Sequence, residues 1–422
     1  MMRFSAVPTG VLGDRKASWA IYGDRIGDPD GLEASAFAGV NLAQIAPVPA
    51  APMFNRDSLF GMHLAGIDLE LDKDAPVVVF VHGFCYEPRR PVAARIRSDN
   101  AHRCLYHFSD TADGPGSSEE RDLHITPWFA RAMLEEGRGA PEECGGLAVG
   151  YSFASYGGAP EPFLPSWSQR LRDRLGLINP FSHPSKAFEN AYTDAGIAGC
   201  GLAAVLVQLR ARLDHAGHAD RPIDLLCHSL GARTVLTGLS MLAQRGDEDR
   251  TLARIDRVIM LSGACYWGQA ADALANIRFA RPEKSPQFYN FTSQHDDVLR
   301  HFRVRRTMEG PRRASVEMLG LERDEAPIIR RGKVTGWDGR PDYRLYSVFG
   351  PEYDDWIDIP LDDPEIRDWG RDMGMDLSGR RPGSLGDHWH SYTHPGNWDL
   401  YRKILHDRET WTVDNLRYAL EG

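Results

Sequence analysis

The strongest constraint on the fold is an uninterrupted apolar run at 76–81, Pro-Val-Val-Val-Phe-Val, which leads into His82 and Gly83. A continuous run of β-branched residues is typical of a strand that is buried on both faces, and parallel sheets are built from such strands. Comparable apolar runs lie at 103–108, 147–152, 223–227, 257–262 and 287–291.

Helical stretches separate several of these runs. Apolar residues with the spacing of one buried helical stripe occur at 194–213, and further helices are expected at 232–239 and 397–405. Strands that alternate with helices predict an α/β fold, with a mostly parallel central sheet that is flanked by helices.

The domain organisation follows from the segments that break this alternation. Residues 110–190 are rich in Pro, Gly and aromatic residues, and residues 300–386 are rich in Asp, Arg, Trp and Gly. Both are longer than ordinary connections, which predicts structured insertions. Residues 1–70 predict an N-terminal extension, and 71–422 a single domain. Insertions beside an active site often act as lids or substrate walls.

Composition excludes several classes of protein. The formal net charge of -10 and the lack of a Lys/Arg block argue against nucleic-acid binding. No apolar run approaches the ~18 residues of a membrane span, and the first residues lack the apolar stretch of a secretory signal. Six scattered cysteines without a CxxC pair indicate free thiols. We therefore expect a cytoplasmic protein without a membrane span.

The sharpest local pattern is Cys-His-Ser-Leu-Gly at 227–231, which follows a predicted strand and opens a predicted helix. A chain that reverses this tightly needs small residues two positions on either side of Ser229, and Cys227 and Gly231 meet that need. Such a turn is expected to expose the Ser229 hydroxyl and to point backbone N–H groups at the start of the helix. The alternative interpretation is that Ser229 is an ordinary helix N-cap.

These segments together resemble the α/β-hydrolase superfamily, in particular its bacterial esterase-like branches. The resemblance is carried by VVVFVHGF at 77–84, CHSLGA at 227–232, SQHDDVL at 293–299 and GDHWHSY at 386–392. The turn at Ser229 resembles the G-x-S-x-G nucleophile elbow, with Cys227 in place of the first Gly. The resemblance implies an α/β-hydrolase fold in which Ser229 is the nucleophile.

The resemblance also implies an oxyanion hole. In α/β hydrolases, an apolar strand ending in His-Gly commonly leads into the loop that supplies one N–H donor. Here that donor would be the backbone N–H of Phe84, with Cys85 as the neighbouring candidate. The second donor would be the N–H of Leu230, the residue after the nucleophile. The alternative is a tight turn in which His82 is an ordinary buried polar residue.

The acid and the base should follow the serine in the order acid, then His. Asp296 lies just past a predicted strand and is the favoured acid, with Asp297 as its rival. For the base, His388 precedes a Pro-initiated helix at a suitable distance, and His390 is the runner-up. His394 lies too close to the helix start.

The same histidines have another interpretation. Two histidines with one residue between them, helped by Asp387, could chelate zinc. No further His/Asp set in the chain has metal spacing, so we expect neither a metal nor another cofactor.

The implied function is that of a serine hydrolase which cleaves a carboxylic ester of a small molecule through an acyl-enzyme intermediate. Alternatives are an acyltransferase, thioesterase or amidase with the same triad, or a catalytically inactive α/β-hydrolase-like binding protein. Four aromatic residues near the motifs could line an apolar pocket or belong to the core: Tyr86, Tyr266, Trp267 and Trp389. The sequence does not indicate the natural substrate or the oligomeric state.

Overall fold

The protein is represented by a computed structural model. It describes residues 2–8, 19–25, 71, 76–84, 128–133, 146–151, 184–246, 250–281, 286–293, 296, 298–299, 318–320, 334–335, 341–342, 353–379 and 387–421.

The described residues form ten strands. They are β1 (Met2–Pro8), β2 (Trp19–Arg25), β3 (Val77–Val81), β4 (Leu147–Tyr151), β5 (Ile223–His228), β6 (Ile255–Leu261), β7 (Gln287–Thr292), β8 (Val334–Thr335), β9 (Pro341–Asp342) and β10 (Trp356–Pro360). Strands β8 and β9 pair with each other, and the other eight form one sheet in the order β10-β7-β6-β5-β3-β4-β1-β2. Its neighbouring strands are parallel, except that β1 and β2 are antiparallel.

The described helices lie between these strands and after the last of them. They are α1 (Trp128–Met133), α2 (Pro184–His215), α3 (Leu230–Gln244), α4 (Trp267–Ala280), α5 (Pro364–Asp372), α6 (His390–Thr393), α7 (Pro395–His406) and α8 (Val413–Glu421). Two 3-10 turns, Leu252–Arg254 and Asp387–Trp389, complete the described elements.

Both faces of the sheet are buried at its central strands. Side chains alternate between faces along a strand, so Val79 and Phe80 of β3 point to opposite sides, and both are at most 1% exposed. Helices α2, α3 and α4 cover the face of Val79. Helices α1, α5, α7 and α8 contribute to the core on the face of Phe80. This arrangement is an α/β fold with helices on both sides of a mostly parallel sheet.

The predicted core strands are largely confirmed, with bounds that differ by a residue or two. Strands form at the predicted runs 76–81, 147–152, 223–227, 257–262 and 287–291, whereas 103–108 lies outside the described residues. The helix predicted at 194–213 extends over Pro184–His215, and the one predicted at 232–239 over Leu230–Gln244.

The predicted N-terminal extension (1–70) and the predicted insertion at 300–386 also contribute strands to the sheet. Strands β1 and β2 come from the predicted N-terminal extension, and β10 comes from the segment 300–386. Strand β10 pairs with β7 from Trp356 to Pro360 and extends the parallel sheet by one strand. Strands β1, β2 and β10 therefore belong to the main sheet, whereas β8 and β9, also from the segment 300–386, pair only with each other.

Helix α2 has the most apolar long stretch in the described part of the chain. Ala191–His215 is long and apolar enough, by length and composition alone, to cross a membrane, and 56% of its apolar window is buried. Leu202, Leu206 and Leu209 on this helix are fully buried within the core. In this structure the stretch covers one face of the sheet.

Candidate active site

The chain reverses direction at Ser229 with an uncommon backbone conformation. Ser229 follows the last residue of β5, precedes the first residue of α3, and has φ 53° and ψ -123°. Its N–H donates to the Leu261 carbonyl at 3.0 Å, and its carbonyl accepts from Ala232 (3.0 Å) and Ala264 (2.8 Å). A non-glycine residue in such a conformation costs about 1–3 kcal/mol and persists only where the surroundings impose it. These backbone hydrogen bonds provide that constraint.

Close packing under the turn explains why small residues flank Ser229. A Cβ atom placed on Gly231 would lie 2.6 Å from the Val81 carbonyl oxygen, 2.7 Å from that of His82 and 3.2 Å from Cys227 Cβ. Helix α3 therefore starts directly against the end of β3. The expectation that positions 227 and 231 require small residues is met by this geometry.

We predict that Gly231→Ala destabilises the fold by about 1–3 kcal/mol, because the new methyl group overlaps backbone oxygens that cannot rotate away. Urea denaturation measures this change. Gly268→Ala in α4 is the matched control, since a Cβ there meets nothing within 4 Å. An equal effect of the two substitutions would contradict the close approach of α3 to β3.

The Ser229 side chain is enclosed. The residue is 1% exposed, so the expectation that the turn leaves its hydroxyl open is wrong. Ser229 Oγ has no hydrogen-bond partner among the described residues, and it makes no side-chain cap on α3. An ordinary N-cap serine would make that bond. Helix capping therefore does not explain this serine. Burial of its unpartnered hydroxyl costs about 1–3 kcal/mol of folding free energy.

The loop after β3 lies directly against Ser229. A Cβ atom on Gly83 would be 2.6 Å from Ser229 Cβ, so only glycine allows this approach. Phe84 follows and packs edge-on against Phe188 with ring centroids 5.5 Å apart. Leu230 is the first residue of α3, where a backbone N–H has no partner within the helix. Leu230 thus directly follows the serine and Phe84 directly follows the glycine that lies against it, while Cys85 lies outside the described residues.

Asp296 is a fully buried carboxylate beyond the end of β7. Its Oδ1 accepts from the backbone N–H of Leu299 at 2.9 Å, and its Oδ2 lies 2.7 Å from Nδ1 of His388. Both oxygens are therefore engaged, and the orientation of the carboxylate is fixed. The alternative acid, Asp297, lies outside the described residues.

The structure pairs His388, rather than His390, with the acid. His388 lies in the 3-10 turn Asp387–Trp389 and is 3% exposed. A carboxylate accepts hydrogen bonds, so Nδ1 of His388 carries the proton and Nε2 is left as the basic nitrogen. His390 Nε2 instead lies 3.1 Å from Ser378 Oγ. His394 is the N-cap residue of α7, with its Nε2 3.8 Å from Asp376.

Two further histidines line the same region, and both are buried. His82 donates from Nδ1 to the Gly83 carbonyl at 2.7 Å, and burial lowers its pKa from 6.5 to about 4. Burial, with a smaller contribution from the nearby His388, lowers the pKa of His228 well below its ordinary value. Both imidazoles are therefore neutral near pH 7.

Because of these buried histidines, we expect the free energy of unfolding to fall as the pH drops below 6.5. The unfolded chain binds protons that the folded chain excludes, so the stabilisation is complete above pH 6.5 and is lost towards pH 4. For His82 the loss is about 3 kcal/mol. Urea denaturation between pH 7 and pH 4.5 measures it. His82→Asn, which retains a donor near Nδ1, should flatten the dependence, and an unchanged slope would contradict this assignment.

Gly83, Ser229 and the His388–Asp296 pair lie at the carboxyl ends of the parallel strands β3, β5 and β7. The chain passes from β3 to β4 on one side and then to β5 on the other side of β3. The order of the strands therefore reverses between β3 and β5, where Gly83 and Ser229 lie. In open α/β sheets, ligands bind at such a switch point.

The aromatic residues near the motifs differ in their surroundings. Tyr266 is 6% exposed, packs against Tyr192 with ring centroids 5.2 Å apart, and belongs to the core. Trp267 and Trp389 are each 40% exposed, and the Trp389 ring lies 5.9 Å from that of His388. Tyr86 lies outside the described residues.

Sequence reasoning missed several side chains that contact this region. The Trp128 ring packs against those of His228 and Tyr392, at 6.1 Å and 5.0 Å between centroids. Ser262, with φ 48°, donates to Ser391 at 3.2 Å from the end of β6. The strand predicted at 257–262 could have indicated Ser262, because its last residue lies at the same sheet edge as Ser229.

Within the described ranges, no group of three or more His, Cys, Asp or Glu side chains is arranged to hold a metal ion. The chemistry available to the described residues is that of a strained serine, a histidine oriented by a carboxylate, and backbone N–H groups at a helix start. Comparison with protein-family models, with curated proteins and with solved structures found no match to this chain.

Proposed function

We propose that this chain is a serine hydrolase of the α/β-hydrolase fold which cleaves a carboxylic ester through an acyl-enzyme intermediate. The observation that carries the proposal is the buried His388–Asp296 pair, 2.7 Å apart, whose imidazole lies 4.6 Å from that of His228, the residue before the strained Ser229. A histidine whose Nδ1 proton is held by a carboxylate presents Nε2 as a general base. Ser229 Oγ has no hydrogen-bond partner among the described residues, so its bond to His388 Nε2 would form when substrate binds, as catalytic hydrogen bonds often tighten only in the complex.

The first half-reaction forms the acyl-enzyme. Ser229 Oγ attacks the ester carbonyl carbon while His388 Nε2 takes its proton. The N–H groups of Phe84 and Leu230 hold the oxyanion, where each donor is worth about 3 kcal/mol in comparable sites. The tetrahedral intermediate then collapses, and His388 gives the proton to the departing alkoxide, which leaves as an alcohol.

The second half-reaction releases the acid. His388 takes a proton from a water molecule as the water attacks the acyl carbon, and it returns that proton to Ser229 Oγ when the intermediate collapses. Asp296 keeps the imidazole in the productive tautomer and stabilises its charged form in both steps. The cycle needs no cofactor.

Because Ser229 is buried, a substrate can reach it only after a local rearrangement of the protein. Since the residue is 1% exposed, the side chains that cover it must move before an ester reaches it. Closure over the bound ester would exclude water and strengthen the electrostatic interactions of the triad. We propose a small-molecule ester as the substrate. The scattered cysteines, of which Cys200, Cys227 and Cys265 are free, support placing the reaction in the cytoplasm.

The same enclosure favours one alternative function, that of a binding protein with the architecture of a hydrolase but no turnover. A fluorophosphonate probe distinguishes the two, because it phosphonylates only a serine that is both reachable and activated. We expect the wild-type protein to be labelled, with the adduct on the peptide that contains Ser229. Absence of labelling under conditions that label a control esterase would refute the hydrolase.

Turnover of p-nitrophenyl esters of increasing chain length then separates esterases from acyltransferases and amidases with the same triad. An esterase hydrolyses at least one of these esters at a rate that does not depend on an added acyl acceptor. A rate that rises in proportion to an added alcohol or amine would identify an acyltransferase.

A further inference from the structure

His228 lies between the two loops that the proposed reaction requires. It is the last residue of β5, is 5% exposed, and directly precedes Ser229. On one side its Nδ1 lies 3.0 Å from where a Cβ of Gly83 would be, beside the loop after β3. On the other side its Nε2 lies 3.2 Å from the backbone carbonyl oxygen of His388, and the two imidazole rings are 4.6 Å apart.

The direction of this hydrogen bond follows from its acceptor. A carbonyl oxygen cannot donate, so Nε2 of His228 carries the proton and donates to His388. The other nitrogen, Nδ1, is then an acceptor that faces Gly83. The neutral imidazole is sufficient for this bond, which therefore persists at neutral pH.

The backbone of His388 is also tied to the neighbouring strand. Its carbonyl oxygen accepts from Ser391 Oγ at 3.5 Å, and Ser391 Oγ accepts from Ser262 Oγ at 3.2 Å. His388 is thus attached to the ends of three strands. His228 links it to β5, Ser262 links it to β6 through Ser391, and Asp296 links it to β7. Of these three attachments, only the one through His228 involves a residue that is covalently adjacent to Ser229.

We propose that His228 is a positioning residue, which donates to the His388 carbonyl and thereby sets the location of the base relative to Ser229. This role rests on the proposed function. It acts on the geometry of proton transfer, so it should affect kcat rather than KM. A displacement of about 1 Å in such a site can lower the rate about 100-fold.

A matched pair of amides tests the role. The amide nitrogen of His228→Gln can reach the place of Nε2, whereas the amide of His228→Asn is shorter by one methylene and reaches only the place of Nδ1. We expect His228→Gln to keep kcat for a p-nitrophenyl ester within about threefold of the wild type, and His228→Asn to lower it about 10- to 100-fold with little change in KM. Equal kcat values for the two variants would overturn the proposal.

The same substitution made in the His388→Ala variant separates a positioning role from general damage to the fold. In His388→Ala there is no imidazole to position, so adding His228→Asn should lower the residual labelling rate of Ser229 by less than about twofold, as expected for residues that act as a unit. A further drop as large as that in the wild-type background would overturn the proposal. His406→Asn is the control. His406 is the last residue of α7, and it makes a comparable 2.9 Å bond to the backbone carbonyl of Ala132 in α1.

The outcomes also distinguish this inference from the proposed function. A wild-type protein that the probe does not label overturns both. A wild-type protein that is labelled, together with His228→Asn labelled at the same rate, overturns only the role of His228.

Discussion

Ser229→Ala is expected to lower ester turnover at least about 10⁴-fold, because it removes the proposed nucleophile. The loss should not come from unfolding. The substitution removes a buried hydroxyl that has no partner, whose burial costs about 1–3 kcal/mol, so the variant should be as stable as the wild type or more stable. Steady-state kinetics and urea denaturation, measured on the same preparation, test both parts.

The matched control for this substitution is Ser240→Ala on the same helix. Ser240 Oγ accepts a hydrogen bond from Asn276 at 2.9 Å and lies three turns along α3 from Ser229. It should keep wild-type turnover. Turnover that persists in Ser229→Ala, or an equal loss in Ser240→Ala, would contradict the assignment of the nucleophile.

His388→Ala should lower turnover about 10⁴-fold, whereas His390→Ala should lower it less than about 10-fold. Removal of His388 takes away the proposed base and leaves the buried Asp296 carboxylate without its imidazole partner. His390 Nε2 lies 3.1 Å from Ser378 Oγ rather than at Asp296, so its loss leaves the His388–Asp296 pair in place. The kcat values of the two variants with one p-nitrophenyl ester test this difference.

The two histidine variants control for each other, because both residues are buried and lie two positions apart. Circular dichroism at the assay temperature should show that both are folded. A larger loss of turnover in His390→Ala than in His388→Ala would move the role of base to His390 and would contradict the geometry of the Asp296 pair.

The central strands were predictable because both of their faces are buried. The run at 76–81 has no polar face. It is also short, and a short, fully apolar run rich in β-branched residues indicates a buried strand rather than a helix. Strand β10 was not predicted, since Trp356–Pro360 contains Asp358 and lies in a segment rich in Asp and Trp. Pairing with β7 and the bond from Asn290 to Asp358, at 2.7 Å, accommodate that carboxylate.

The choice between His388 and His390 could be weighed from the sequence but not decided. Both lie in one short segment, and only the three-dimensional path of the 3-10 turn brings one ring to Asp296. The exposure of Ser229 was predicted wrongly for a similar reason. The turn itself is a local feature, which Cys227 and Gly231 indicate, but burial of the side chain depends on tertiary packing, such as the approach of Gly83 from the loop after β3.

The measurement that tests the account most directly is intact-protein mass spectrometry after rapid acid quenching of the protein with a p-nitrophenyl ester. The account predicts a mass increase equal to the acyl group, located by proteolysis on the peptide that contains Ser229, together with a stoichiometric burst of p-nitrophenol. Hydrolysis with the acyl group on a different residue would contradict it, and so would hydrolysis with neither a burst nor an adduct in conditions where deacylation is slow.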